Sequence, residues 1–215
     1  MKNLMALCGA LCALSLSLQG AQAPLVISEI MAENDSGLVD ENGNRVDWIE
    51  IQNVSSDSVD LENFALSDDR ANPTQWSFPE QSLAPGAFLI VFASGKDRAA
   101  DQDALHTNFS LSNQGEYLAL IDKTKGQPIH EMTPSFPPQQ SDVSFGLPAD
   151  WRMGQPLVMQ ALREATPGKA NASAVLGRLS KIRFSQKRGF QSQAFELSLE
   201  LDDASARIKY TTDGS

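Results

Sequence analysis

Cysteine is the scarcest functional residue in this chain. Only two occur in 215 residues, Cys8 and Cys12, both close to the N-terminus. The rest of the chain therefore has no disulfide, thiolate nucleophile or cysteine-ligated zinc available to it. Histidine is equally rare, and the spacing of His106 and His130 matches no metal-ligand motif.

Positive charge is also in short supply. The chain has 17 Lys and Arg against 27 Asp and Glu, a formal net charge of −10. This balance argues against a nucleic-acid partner, because affinity for the phosphate backbone depends on positive charge. The sequence also contains no nucleophile-elbow serine motif and no phosphate-binding glycine loop. We therefore predict a non-enzymatic chain with no catalytic residues and no cofactor.

Long hydrophobic runs are limited to residues 4–18, which are fewer than the ~20 residues that a membrane-spanning helix needs. The run follows Lys2 and precedes the small residues Ala21 and Ala23, a pattern typical of a signal peptide. We predict that residues 1–23 are removed on export. The mature chain is then secreted or displayed on the cell surface, with no membrane span.

The remainder of the chain is dominated by short β-type segments. Apolar or alternating runs are separated by turn residues such as Asn42-Gly43, and helical periodicity is nearly absent. This pattern predicts an all-β, antiparallel sandwich. The predicted strands cover residues 25–31, 46–53, 59–66, 74–78, 87–93, 116–122, 129–132 and 142–145.

Two of these strands carry specific predictions about burial. In the strand at 46–53, Ile49 and Ile51 alternate with Trp48 and Glu50, so we expect one core face and one wetter face. Residues 88–92 are apolar on both faces. They are predicted to form the most buried strand.

A second unit is expected at residues 175–215, after a linker at 151–174 whose residues 166–173 are small and polar and include Pro and Gly. Residues 195–201 alternate apolar and polar side chains, as a half-buried strand does. The sequence stops at Ser215 on a turn signal, so we expect the natural product to continue.

Several motifs in the first unit resemble those of the lamin tail domain family, in the form found in secreted bacterial proteins. They occur in the family's order over about residues 25–146. The resemblance implies an immunoglobulin-like β-sandwich at residues 24–150 without known catalytic residues. The clearest motifs are Asp47-Trp48-Ile49-Glu50-Ile51, Leu83-Ala84-Pro85-Gly86, His106-Thr107-Asn108-Phe109 and Gly115-Glu116-Tyr117-Leu118.

The second unit has a resemblance of its own. Arg188-Gly189-Phe190 and Tyr210-Thr211-Thr212-Asp213-Gly214 are similar to the start of the small β-domain found near the C-terminus of chitobiases. In such architectures a CotH-type, kinase-like domain often follows. The resemblance implies a truncated β-domain here and says nothing of an activity.

The stretch from Glu29 to Asp69 is strongly acidic, with Arg45 as its only basic residue. Clustered Asp and Asn side chains in a glycine-containing loop are ligands that calcium accepts. The spacing does not follow the helix-loop-helix calcium motif, so a solvated hairpin turn is the simpler interpretation. The residues that would form a calcium site are Asp35, Asp40, Asn42, Asn44 and Asp47.

Two further side-chain pairs have a functional and a structural interpretation. Trp48 and Trp76 would suit carbohydrate stacking, although tryptophan is more often a core residue of a sandwich. Glu29 and Glu50 would suit a paired acid and base, but alternation also explains them as solvent-facing residues of a sheet. We favour the structural interpretation of both pairs.

A basic stretch begins the second unit, with no acidic residue inside it. It suits an acidic partner or, equally, an edge strand protected by its charges. Its members are Arg178, Lys181, Arg183, Lys187 and Arg188.

Together these patterns predict a non-catalytic binding or scaffolding module at the N-terminus of a secreted or surface-exposed multidomain bacterial protein. Its expected partners are proteins or carbohydrates at the cell surface. The alternative is the targeting region of a larger secreted enzyme, a hydrolase or CotH-type kinase, whose catalytic domain lies beyond residue 215.

Overall fold

The computed structural model describes residues 23–99 and 104–175, and from the C-terminal part 182–186, 189–190, 192–201, 208 and 210–211. Across these residues the regular structure is β-strand, apart from one 3-10 turn at Leu61–Asn63. Two main sheets pack face to face as an immunoglobulin-like β-sandwich. The all-β fold predicted from the sequence is confirmed. The described residues contain no helix of the length and apolarity that crossing a bilayer requires.

The larger sheet has six strands in the order β12-β11-β1-β2-β7-β8. Adjacent strands in this sheet are antiparallel, except for β7 and β8, which are parallel. The hydrophobic strands β1 and β2 form its centre. The bounds are β1 Leu25–Met31, β2 Trp48–Asn53, β7 Phe88–Phe92, β8 Leu105–His106, β11 Phe145–Gly146 and β12 Gln160–Ala161.

The smaller sheet has four antiparallel strands in the order β10-β9-β4-β5. A two-stranded ribbon of β3 and β6 closes the side of the sandwich, and β13 pairs with β14 in the second unit. The bounds are β3 Val59–Asp60, β4 Phe64–Ser67, β5 Trp76–Ser77, β6 Ser82–Leu83, β9 Leu118–Asp122, β10 Gln127–Met132, β13 Arg183–Phe184 and β14 Leu199–Glu200.

The main core lies between the two sheets. Ile49 and Ile51 point into it as predicted, and both are fully buried. Leu66 and Leu120 meet them from the four-stranded sheet. Aliphatic side chains of this size stabilise a fold by roughly 1.5–3 kcal/mol each when fully buried, so this layer holds the two sheets together.

The outer face of the six-stranded sheet is covered, and the expectation that it would be wetter is wrong. Trp48 is 1% exposed and packs with Met31 and Phe92 in a second, smaller apolar cluster. Glu50 is also fully buried. Alternation along a strand predicts which side chains share a face, but it does not reveal that later residues of the chain cover that face.

The prediction that residues 88–92 form the most buried strand is also wrong. In β7 only Val91 and Phe92 are buried, whereas every residue of β1 and β9 is. Strand β8 pairs only with the Val91–Phe92 end of β7. The remainder of β7 therefore lies at an edge of the sheet.

Residues 151–174, predicted as a linker, pack on the sandwich for part of their length. Strand β12 extends the large sheet, and the buried Leu162 donates its backbone N–H to Ser144 at 2.9 Å. Asn171 donates to the carbonyl groups of Ser28 and Leu147. The linker-like composition of residues 166–173 did not reveal these contacts, because they are made by backbone groups and by short polar side chains.

Candidate functional site

Asp40, the central residue of the predicted calcium loop, is a buried turn-forming side chain. Its Oδ1 accepts the backbone N–H groups of Asn42 and Asn44, both at 2.9 Å. Its Oδ2 accepts from Lys96. Burial alone would raise the pKa of Asp40, but hydrogen bonds from Lys96 and from the two amides lower it to about 2. This carboxylate is fully engaged within the protein.

The other predicted calcium ligands do not join Asp40 in one site. Asp35 Oδ2 accepts from the hydroxyl of Ser141 at 2.5 Å, and Asp47 Oδ1 accepts from the backbone of Asn34 at 3.2 Å. Asn42 and Asn44 are exposed on the turn. Among the described residues, the grouping that brings metal-ligating atoms together is a different one, Asp40, Glu41 and His106. The predicted calcium ligands were chosen because they are close in sequence. The observed grouping differs because it includes His106, which lies on β8.

This grouping belongs to a charged cluster of Asp40, Glu41, Lys96, Arg98 and His106. Ion pairs join Lys96 to Asp40, and Arg98 to Glu41. His106 is fully buried and its Nε2 lies 2.8 Å from Glu41 Oε2. Two carboxylates face two cationic side chains, so the charges are balanced without a bound ion. The charged cluster fastens the hairpin at 40–44 to the segment before β8.

His106 is also bonded to Ser94, which gives a serine, an imidazole and a carboxylate in series. Ser94 Oγ lies 2.7 Å from His106 Nδ1. A nucleophilic serine also needs backbone N–H groups directed at the developing oxyanion. The N–H of Gly95 is instead bonded to the carbonyl of Phe109, and the N–H of Lys96 points at Ser94 itself. Neither of these two N–H groups is directed at a substrate in the described part of the chain, and the series ties Ser94, His106 and Glu41 together.

Glu29 and Glu50 form the most unusual feature of the sandwich. They are direct cross-strand neighbours on β1 and β2, and both are fully buried. Residues 163–169, here named the strap, lie over them. Thr166 donates its N–H and its hydroxyl to Glu29, the hydroxyl at 2.8 Å. The N–H of Gly168 donates to Glu50 at 2.6 Å. The solvent-facing position predicted for this pair is therefore wrong.

Burial controls the protonation of these two carboxyl groups. It raises the pKa of Glu50 to about 7, and the negative charge of Glu29 adds to the effect. Burial likewise raises the pKa of Glu29, against hydrogen bonds that lower it. A raised pKa is typical of a general acid, but such an acid must reach a substrate. Here the strap lies between the pair and solvent.

His130 and the two candidate carbohydrate-stacking tryptophans are interior residues. His130 accepts the N–H of Ile27 at 3.0 Å, and burial lowers its pKa to about 4. Trp48 and Trp76 are 1% and 2% exposed, and Trp76 packs edge-on against Phe78. The carbohydrate hypothesis is therefore wrong for these two residues. A β-sandwich places large rings between or behind its sheets, so their burial follows the structural interpretation.

The third tryptophan, Trp151, lies at the surface in what we name the Trp151 groove. It is partly exposed and lines two adjacent cavities. One has a volume of about 180 Å³ and is mainly apolar; its other lining residues include Val26, Ile129 and Leu157. The second, of about 270 Å³, is more polar and is lined by Gln52, Asn53, Val54, Ser55, Gly86, Trp151, Arg152 and Met153.

A compact double turn holds the ring of Trp151 in place. Its backbone N–H bonds to the carbonyl of Pro148, and its indole N–H bonds to the carbonyl of Pro156 at 3.1 Å. Gln155 and Arg152 are joined by a backbone and a side-chain hydrogen bond. With its polar atom satisfied inside the turn, the ring offers only hydrophobic surface to the groove.

Sequence reasoning missed this groove and the role of the strap. Trp151 lay inside the predicted linker, and the one available signal was an aromatic residue between two proline-containing turns, Pro148 and Pro156. Glu41, Ser94 and Lys96 were also missed. Nothing in their local pattern indicates that they meet His106.

A comparison with protein families identifies the first unit. The model of the Lamin Tail Domain matches residues 19–135, more than half of the chain. A search of curated proteins found no match. The matched range contains strands β1 to β10 and therefore most of the sandwich. The chain belongs to the lamin tail domain family.

Proposed function

We propose that this chain is a non-catalytic binding module, which binds a protein or a carbohydrate at the cell surface through the Trp151 groove. The observation that carries the proposal is a fixed, partly exposed tryptophan that lines two adjacent cavities, one of which is more polar than the other. Binding sites are typically concave and mostly apolar, with a few polar groups that fix orientation. The groove has this composition.

The arrangement of the ionisable residues supports a role without catalysis. Glu29 and Glu50 are enclosed by the strap, and His130 is 3% exposed. Both nitrogens of His106 are engaged, Nδ1 with Ser94 and Nε2 with Glu41 of the charged cluster. General acid–base catalysis requires a group within hydrogen-bonding reach of a substrate. None of these four residues meets that requirement in the folded sandwich.

We further propose that the protein is exported, as the N-terminal part of a secreted or surface-displayed bacterial protein of the lamin tail type, and that a chitobiase-like β-domain follows the sandwich. The apolar run at 4–18 and the small residues Ala21 and Ala23 support export. Asp213-Gly214 and the preceding motif support the second domain.

Sedimentation with bacterial cell envelopes tests the binding function. The full chain is incubated with washed envelopes, and the bound fraction is compared with that of Trp151→Ala. Val158→Ala is the control, because Val158 is 57% exposed and lines neither cavity. We expect saturable binding that Trp151→Ala weakens at least tenfold and Val158→Ala leaves unchanged. Equal binding by all three chains would remove the groove from the proposal.

N-terminal sequencing of the exported product tests the location. Expression in a bacterial host followed by fractionation should place the protein outside the cytoplasm with Pro24 as its first residue. Recovery of uncleaved protein from the cytoplasm alone would contradict export.

A further inference from the structure

The Trp151 groove has the chemistry of a sugar site, and the inference drawn from it rests on the binding function proposed above. A pyranose ring has an apolar face of C–H groups and a rim of hydroxyls. A matching site needs a flat hydrophobic surface beside unoccupied hydrogen-bonding side chains. The Trp151 groove contains both.

The flat surface is the indole of Trp151. Its N–H is taken by Pro156 within the turn, so the ring cannot rotate freely to adapt to each ligand. Met153, 45% exposed, extends the hydrophobic surface beside it. A ring that is held in place before binding loses little conformational entropy when a ligand stacks on it.

The hydrogen-bonding groups lie in the polar cavity on the neighbouring side of Trp151. Gln52 is half-buried on β2, and among the described residues its side-chain amide has no hydrogen-bond partner. An amide offers two donors and an acceptor. Arg152 commits its Nη1 to the carbonyls of Ala149 and Trp151, which fixes the guanidinium at the rim. The side chain of Asn53 is already bonded to Ser55, to the carbonyl of Asp57 and to the carbonyl of Leu83 on β6, so it contributes only shape.

The walls of the groove come from different parts of the chain. Gln52 and Val54 belong to the end of β2 and the residue after it, inside the matched family range. Trp151, Arg152 and Met153 lie beyond residue 135, where that range ends. The site is therefore built where a turn outside the matched range lies against the end of β2.

We propose that the Trp151 groove binds a pyranose unit of a polysaccharide, with the sugar ring stacked on the indole of Trp151 and its hydroxyls bonded to Gln52 and Arg152. The lining favours a sugar over a peptide. The pairing of a partly exposed aromatic ring with an amide and a guanidinium suits a ring with one apolar face and hydroxyls around it.

Fluorescence quenching of the full chain tests this proposal directly. Trp48 and Trp76 are buried, so acrylamide should quench mainly Trp151. The probes are soluble oligosaccharides of glucose, N-acetylglucosamine, xylose and galacturonate. We expect at least one of them to protect Trp151 from quenching in a saturable manner. Failure of all four to protect it would overturn the sugar proposal.

Variants keep the result interpretable. Gln52→Ala removes an unpartnered surface amide and leaves the packing of Trp151 intact, so we expect about tenfold weaker sugar binding, equivalent to about 1.4 kcal/mol. Val158→Ala should bind as the wild type does. Equal affinity of Gln52→Ala and wild type would overturn the assigned hydrogen bonds.

Binding to treated cell envelopes distinguishes failure of the sugar proposal from failure of the proposed binding function. If binding to envelopes survives protease treatment and is lost after digestion of the polysaccharide, the sugar proposal is supported. If binding depends on Trp151 but is lost on protease treatment, the partner is a protein; the sugar proposal then fails and the binding function stands. Absence of any envelope binding, together with absence of protection by all four sugars, would overturn both.

Discussion

Strand alternation predicts that the carboxyl group of Glu50 faces solvent. The strap instead encloses this carboxyl group. Its pKa of about 7 lies above the ordinary value of 4.5. Between these two pH values, the folded chain therefore holds a proton that the unfolded chain has lost. The contribution of this group to stability is therefore complete below about pH 4.5 and is lost as the pH rises through 7. At about 1.4 kcal/mol per pH unit, the loss is on the order of 3 kcal/mol.

We predict that Glu50→Gln removes most of this pH dependence. Urea unfolding between pH 5 and pH 8 should show wild-type stability falling with rising pH. Glu50→Gln should be more stable than wild type at pH 8, because an amide stays neutral. Glu80→Gln is the matched control, since Glu80 is exposed. Burial also raises the pKa of Asp47, to about 6, which adds to this fall, and lowers the pKa of His130, to about 4, which opposes it below about pH 6.5. Wild-type stability that rises from pH 5 to pH 8 would contradict this account.

Trp76 is a second residue whose role differs between the two interpretations of the sequence. As a core residue it should be costly to truncate: Trp76→Ala should destabilise the chain by roughly 3–5 kcal/mol, by analogy with other large-to-small core substitutions. Urea unfolding at one pH measures the loss. Trp151→Ala, at the partly exposed position, should cost clearly less. Equal losses in the two variants would mean that the burial described for Trp76 is wrong.

At the scale of elements, the strap is held on the sheet by bonds to two carboxylates. Thr166 supplies two of them to Glu29. We predict that Thr166→Ala destabilises the chain by roughly 1–3 kcal/mol, since a buried carboxylate then loses a donor. Amide hydrogen exchange should accelerate within 163–169, whereas Thr166→Ser should restore protection.

The strap prediction has a simple control. Thr74→Ala changes an exposed threonine and should leave exchange in the strap as it is in wild type. If Thr166→Ala exchanged as slowly as wild type throughout 163–169, the hydroxyl bond from Thr166 would not be what holds the strap.

The elements also show how far sequence reasoning reaches. The strand at 25–31 was predicted to the residue, because its apolar run is flanked by clear turn signals. Strands β6, β8 and β12 were missed; each has two residues, too few to carry a period. The groove depends on contacts between Gln52 and a turn about 100 residues later. Local patterns carry no information about such contacts.

At the scale of the whole molecule, two acidic residues of the predicted calcium site are bonded to other parts of the protein. Asp40 is bonded to Lys96 and two amides, and Asp35 to Ser141. We predict that calcium and chelator give the same melting temperature. A ligand at 100 times its Kd would stabilise the fold by about 2.7 kcal/mol. For a chain of this size that corresponds to several degrees. A calcium-dependent shift of that size would restore the loop as a metal site.

The sandwich encloses Glu29, Glu50 and His130, and we propose that the protein binds its partner through the Trp151 groove. The most direct test is a two-dimensional NMR titration of the full chain with the envelope fraction or oligosaccharide that binds it. Of the three indole N–H signals, we expect that of Trp151 to shift and those of Trp48 and Trp76 to stay in place. The amide signals of Gln52 should also be perturbed. Perturbations centred on Ser94, His106 and Glu41 instead, with the signal of Trp151 unmoved, would contradict this proposal.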